Sequence, residues 1–139
     1  MVDRARAVAL LDALRAALVD LDRYAGTVDA ARLRTDPDAQ NMVLFAMYRA
    51  VQACIDLAHH IVADEGLRVP AGYRAAFESL REAGWVDDDL AARLAGWAGL
   101  RNVIAHGYVR IDFDRIHAAL AERGDLAALA AVVAARVGV

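Results

Sequence analysis

Residues 87–108 read DDDLAARLAGWAGLRNVIAHGY. Leu90, Leu94, Trp97 and Ile104 recur at spacings of four, three and seven, the apolar stripe of one α-helix. Asp87, Asp88 and Asp89 stand where acids complement the positive end of the helix dipole. Gly107 is a terminator able to take the left-handed conformation. The next stripe position after Trp97 is Arg101. Seven residues turn an ideal helix by about 700°, so Arg101 lies within about 20° of Leu94. A guanidinium on an apolar seam must be paired, or must face a cleft or a subunit interface. Periodicity alone leaves a structural ion pair and a functional arginine both open.

Asn102 and His106 are one turn apart and share a face. Arg101 and His106 are five residues apart, about 140° around an ideal helix. They converge only if the helix frays or ends there, or if a second chain supplies the other group. Tyr108 follows directly after the terminator, where a packed aromatic with a satisfied hydroxyl is also an open reading.

Outward from this segment the chain reads as helix with few breaks. Val8, Leu11, Leu14, Leu18 and Leu21 predict a helix from roughly residue 3 to 24 or beyond, with Gly26 and Thr27 able to kink or interrupt it before residues 28–34. Asp36-Pro37 is a start signal, with Asp as N-cap and Pro at the first helical position. Leu44, Met47, Val51, Cys54, Ala58 and Ile61 then mark a long helix ending near Gly66. Pro70 and Gly72 begin a shorter one that ends at Gly84, and residues 112–123 and 125–136 form a final helix or pair around Gly124. No period-2 strand is found. The expected architecture is an all-α, up-and-down bundle of four or five helices, in a single domain over 1–139.

The chain has 139 residues and a net charge of -3; all 16 basic residues are arginine. That balance excludes a general nucleic-acid coat protein, which would be strongly basic. The less acidic half carries the motif: residues 67–139 hold nine arginines and nine acids, against seven and ten in residues 1–66. One cysteine, Cys54, excludes an intramolecular disulfide framework and reads as a buried small hydrophobe. The longest apolar run, residues 126–135, is half of what a bilayer span needs. Charges at Asp3, Arg4, Arg6, Asp12 and Arg15 leave no signal-peptide core, so a cytoplasmic location is expected. His59 and His60 are adjacent and cannot share a face, and no His or Cys pair has zinc spacing, so no metal site is expected. Asp56 and His60, four apart, are expected to form a structural polar pair, and Trp85 and Trp97 to be packing anchors. No glycine-rich phosphate loop is present.

The motif segment resembles the Arg-x4-His-x-Tyr motif of HepT-like toxins in the HEPN superfamily, here Arg101, His106 and Tyr108. The resemblance covers nearly the whole chain. The helix over residues 49–61, with Asp56, His59 and His60, looks like the family's Asp- and His-bearing helix. Pro70-Ala71-Gly72-Tyr73 with Phe77 and Leu80 fits the family layout, and Ile111-Asp112 matches its usual ending. Ala105 stands where a larger aliphatic is usual. The resemblance implies a HEPN-like homodimer, two motifs facing across a cleft, and metal- and cofactor-independent endoribonuclease activity on RNA. It also implies a toxin whose partner is a minimal nucleotidyltransferase antitoxin, which adds AMP to the motif tyrosine. Arg101 and His106 become the catalytic pair, Asn102 the supporting polar neighbour, and Tyr108 the modification target.

The residue types suit that chemistry. RNA cleavage without metal can use the substrate's own 2′-hydroxyl as nucleophile. It then needs a base, an acid for the leaving 5′-oxygen, and positive charge on the phosphorane. Imidazole titrates near neutrality and can do either proton task. Guanidinium stays charged and bridges two phosphoryl oxygens. One motif holds one histidine, and a two-fold dimer would bring two. The alternatives are a noncatalytic helical dimer that docks a nucleotidyltransferase, and a dimer that binds a nucleotide without cleaving it.

Overall fold

The computed structural model describes residues 2–67, 71–107 and 110–139. Pro70 and Tyr108 lie outside the described residues. The described chain is an all-α bundle of seven helices: α1 (Arg4–Thr27), α2 (Ala30–Thr35), α3 (Pro37–Asp64), α4 (Tyr73–Glu82), α5 (Asp88–His106), α6 (Phe113–Ala121) and α7 (Gly124–Val137). Four long helices carry most of the core, as expected. The additional elements are short: residues after Thr27 form α2, and the C-terminal pair separates at Gly124 into α6 and α7.

Aspartates fix where the helices begin. Asp3, Asp29, Asp36, Asp87 and Asp112 each accept a backbone N–H of the first turn, filling donors that a helix start leaves unpaired. Asp36 does so with Pro37 at the first helical position. Asp87 accepts from the Leu90 N–H at 2.8 Å, so one member of the acidic run caps α5 while Asp88 and Asp89 occupy its first turn.

Helix α3 is the central element, packing against α1, α4, α5 and α7. Its buried face includes Val43, Met47, Val51, Cys54, Ile55, Leu57, Ala58 and Ile61, opposite Leu11, Leu14 and Leu21 of α1. Trp85 and Trp97 are both buried, as anchors should be. Trp97 Nε1 donates to Asp125 Oδ2 at 3.1 Å and Arg93 Nε to Asp125 Oδ1 at 2.8 Å, which tie α5 to α7. Arg4 donates to the carbonyls of Val137 and Gly138, joining the start of α1 to the end of α7. No helix among the described residues is long and apolar enough to cross a membrane.

Candidate active site

Arg101 occupies the position that the stripe reserved for an apolar residue, and it is half-buried. The ion pair that periodicity left open is not formed: among the described residues no carboxylate lies within salt-bridge distance of Arg101. Neutral groups hold it instead. Nε donates to Gln52 Oε1 at 3.0 Å, Nη1 to Asn102 Oδ1 at 3.2 Å, and Nη2 to the Tyr48 hydroxyl at 3.1 Å. The guanidinium carbon also stands 5.0 Å from the Tyr48 ring centre and 4.9 Å from that of Tyr73, within the range of cation–π attraction.

This arrangement fixes the guanidinium without neutralising it. A guanidinium has five N–H donors, and three are used here, leaving one on Nη1 and one on Nη2. Nη1 and Nη2 are the nitrogens with which a guanidinium can bridge a pair of phosphoryl oxygens. Gln52 is itself oriented, because its Nε2 donates to Asp56 Oδ1 at 2.9 Å. Tyr48, Gln52 and Asp56 follow one another at four-residue intervals along α3, so one helical ridge presents the acceptor, the amide and the carboxylate that orients it.

The expected pairing of Asp56 with His60 does not occur. Asp56 is taken up by Gln52, and His60 Nε2 lies 3.2 Å from Asp64 Oδ2, one turn further on. Asp64 also accepts the Asp3 backbone N–H at 2.7 Å, so His60 belongs to the junction between the α3 end and the α1 start. His59 faces the site more closely: its ring centre is 6.1 Å from that of Tyr73. Its Nε2 is buried with no hydrogen-bond partner among the described residues.

His106 is the last residue of α5 and is exposed. Gly107 follows with φ 62° and returns its N–H to the Val103 carbonyl at 3.4 Å. The left-handed stop therefore comes after the histidine, as expected, and α5 stays helical from Arg101 through His106. Helical geometry then leaves the two side chains about 140° apart around the axis. The structure thus joins Arg101 and Asn102 directly and sets His106 on another side of the same helix. Tyr108 lies outside the described residues. Sequence reasoning missed Tyr48 and Gln52, and it noted Tyr73 only as part of a layout. The signal available was the Tyr48–Gln52–Asp56 ridge flanking the apolar stripe of α3.

Comparisons with known proteins bear on this geometry. A family model described as Ribonuclease HepT-like matches residues 14–135. The mRNA nuclease HepT of Shewanella oneidensis is 30% identical over 86 residues, 62% of this chain and 65% of the relative. The alignment thus spans just under two thirds of that relative. Among solved structures, a tri-AMPylated HEPN toxin of Shewanella oneidensis in complex with MNT antitoxin matches with a TM-score of 0.86 at 24% identity, over 97% of this chain and 99% of that one. YutE of Bacillus subtilis, described as a cytosolic protein, matches with a TM-score of 0.83 at 14% identity, over 97% and 90% of the two chains. At such identities the structural likeness shows the fold.

Proposed function

Because the chain belongs to the Ribonuclease HepT-like family, we propose that it is an endoribonuclease toxin that cleaves RNA without a metal, with Arg101 and His106 as the catalytic pair. The observation that carries this reading is the state of Arg101: a half-buried guanidinium held by three neutral acceptors and two aromatic faces, with two N–H donors to spare. Burial of an uncompensated cation is costly. A phosphate placed on its two free N–H donors offsets that cost, and most strongly when negative charge grows in the transition state.

The imidazole of His106 supplies the proton step, worth roughly 10²–10⁴-fold in a positioned group. Asn102 supports the site by accepting from Arg101. The angle between Arg101 and His106 on one helix favours a composite site, in which each group meets its counterpart from a second copy of the chain. The outer face of α3 suits such a partner. Phe45 is 64% exposed, on the side of the helix that carries Tyr48 and Gln52, and Met42, three residues before it, is 38% exposed. A large aromatic left open beside the site is the kind of anchor that a subunit interface covers.

Regulation follows the relatives whose toxins are complexed with nucleotidyltransferase antitoxins. In this reading a minimal nucleotidyltransferase transfers AMP from ATP to the Tyr108 hydroxyl with release of pyrophosphate, and the added phosphate blocks RNA by bulk and by repulsion. The test of the nuclease reading is cleavage of an RNA oligomer in excess EDTA by wild type and His106→Ala. Cleavage lost in the variant is expected. Equal cleavage by both would place the activity elsewhere.

A further inference from the structure

Arg74 is the second residue of α4, directly after the tyrosine that lies under Arg101. It is exposed, and among the described residues it has no carboxylate within salt-bridge distance. Glu78, one turn along the same helix and well placed for a pair, is engaged by Arg81 instead. Seven other arginines do find a carboxylate among the described residues, as in Arg34–Asp114, Arg49–Asp20, Arg93–Asp125 and Arg123–Asp22.

The Arg74 guanidinium rests on α5. A Cβ built on Gly99 would come within 2.8 Å of Arg74 Nη2. The absent side chain of a mid-helix glycine is therefore the space that the guanidinium uses. Glycine at such a position weakens a helix relative to alanine, and here it admits a cation against the helix backbone. Gly99 and His106 are seven residues apart, which places them within about 20° on α5, with Asn102 about 60° away. Arg74 thus stands on the face of α5 that carries His106, roughly 10 Å back along the axis. Tyr73 and Arg74 reach α5 at Arg101 and at Gly99 respectively, so the start of α4 serves both.

We infer that Arg74 is a second phosphate contact for single-stranded RNA, gripping the backbone away from the scissile linkage while Arg101 takes the reacting phosphate. The inference rests on the ribonuclease reading and extends it. A chain of net charge -3 cannot hold RNA by its overall field, so binding depends on a few placed cations. An unpaired guanidinium on the motif face meets that need. A guanidinium acting only as helix-packing filler would occupy the same space and leave RNA binding untouched.

The experiment measures binding of a short single-stranded RNA to the His106→Ala protein, which is not expected to cleave it, across a salt series. Arg74→Gln is added to that protein. Arg15→Gln, which removes the same charge from an exposed position on α1, serves as the control. Arg74→Gln is expected to weaken binding roughly three- to tenfold and to reduce the slope of log K against log salt by about 0.7. Arg15→Gln should leave the slope unchanged. Gly99→Ala, which displaces the guanidinium, should weaken binding in the same direction. If RNA binds and Arg74→Gln behaves like Arg15→Gln, Arg74 is packing only, and the nuclease reading stands. If wild type neither binds nor cleaves RNA, both readings fall.

Discussion

Arg101 Nη2 donates to the Tyr48 hydroxyl at 3.1 Å while the guanidinium carbon lies 5.0 Å from the centre of the same ring. Tyr48 therefore offers Arg101 both an acceptor and a π face. Tyr48→Phe separates the two, keeping the ring and deleting the acceptor. A hydrogen bond from a charged donor is worth about 1.5–3 kcal/mol, so kcat should fall roughly ten- to 100-fold with KM little changed. Tyr48→Ala should fall further. A Tyr48→Phe protein with wild-type kcat in single-turnover cleavage would show that the hydroxyl does not orient the arginine.

Arg101→Lys tests whether charge alone suffices. An ammonium is a compact charge with three donors, whereas Arg101 serves Gln52, Asn102 and Tyr48 and still retains two N–H groups. Lysine cannot satisfy these acceptors and also bridge a phosphate. Cleavage is expected to drop at least about 100-fold, the order of loss seen when one transition-state donor is removed, with helical content retained by circular dichroism. Near-normal cleavage would mean that position 101 contributes only a positive charge.

The fold was legible because its signals are local. Aspartate caps, the Asp36-Pro37 start, Gly107 and the apolar stripes each act within a few residues, and each is found where the sequence places it. The anomaly at Arg101 was legible for the same reason, since it breaks a stripe. Its partners were not. Gln52 and Tyr48 lie 49 and 53 residues away in sequence, and only the packing of α3 on α5 brings them to the guanidinium. The Asp56–His60 expectation failed in an instructive way. Helical spacing allows Asp56 either Gln52 or His60 as a partner, and tertiary structure decided it: Gln52 is needed at Arg101, while Asp64 and the start of α1 claim His60.

Burial pushes the Cys54 thiol well above the ordinary thiol range. The unfolded chain releases that proton near pH 8.5 and the folded chain does not. Stability from this group is therefore intact below about pH 8.5 and lost as pH rises beyond it, at about 1.4 kcal/mol per pH unit. Thermal midpoints measured from pH 7 to 10 should fall more steeply for wild type than for Cys54→Ala. Native protein should also resist a thiol reagent at pH 8 that labels the guanidinium-unfolded chain at once. Rapid labelling of the native protein would place the thiol near the surface.

Tyr108→Phe separates activity from control. If Tyr108 is the acceptor of AMP, the variant should still cleave RNA and should carry no adduct after coexpression with a nucleotidyltransferase partner. Intact-mass measurement decides it. An AMP adduct persisting on the Phe variant would move the modification to another residue.

Arg101 and His106 project about 140° apart from one helix that does not fray before Gly107. If the reacting phosphate meets Arg101 from one copy and His106 from the other, two inactive variants should rescue each other. Arg101→Ala and His106→Ala proteins are each expected to be silent alone. Mixed and allowed to exchange subunits, they form heterodimers in which one intact arginine faces one intact histidine. Cleavage should reappear on mixing and rise with the heterodimer fraction resolved by native mass spectrometry. Heterodimers that form but remain inactive would show that both groups must come from the same chain, and would require α5 to unwind before His106 in the active state.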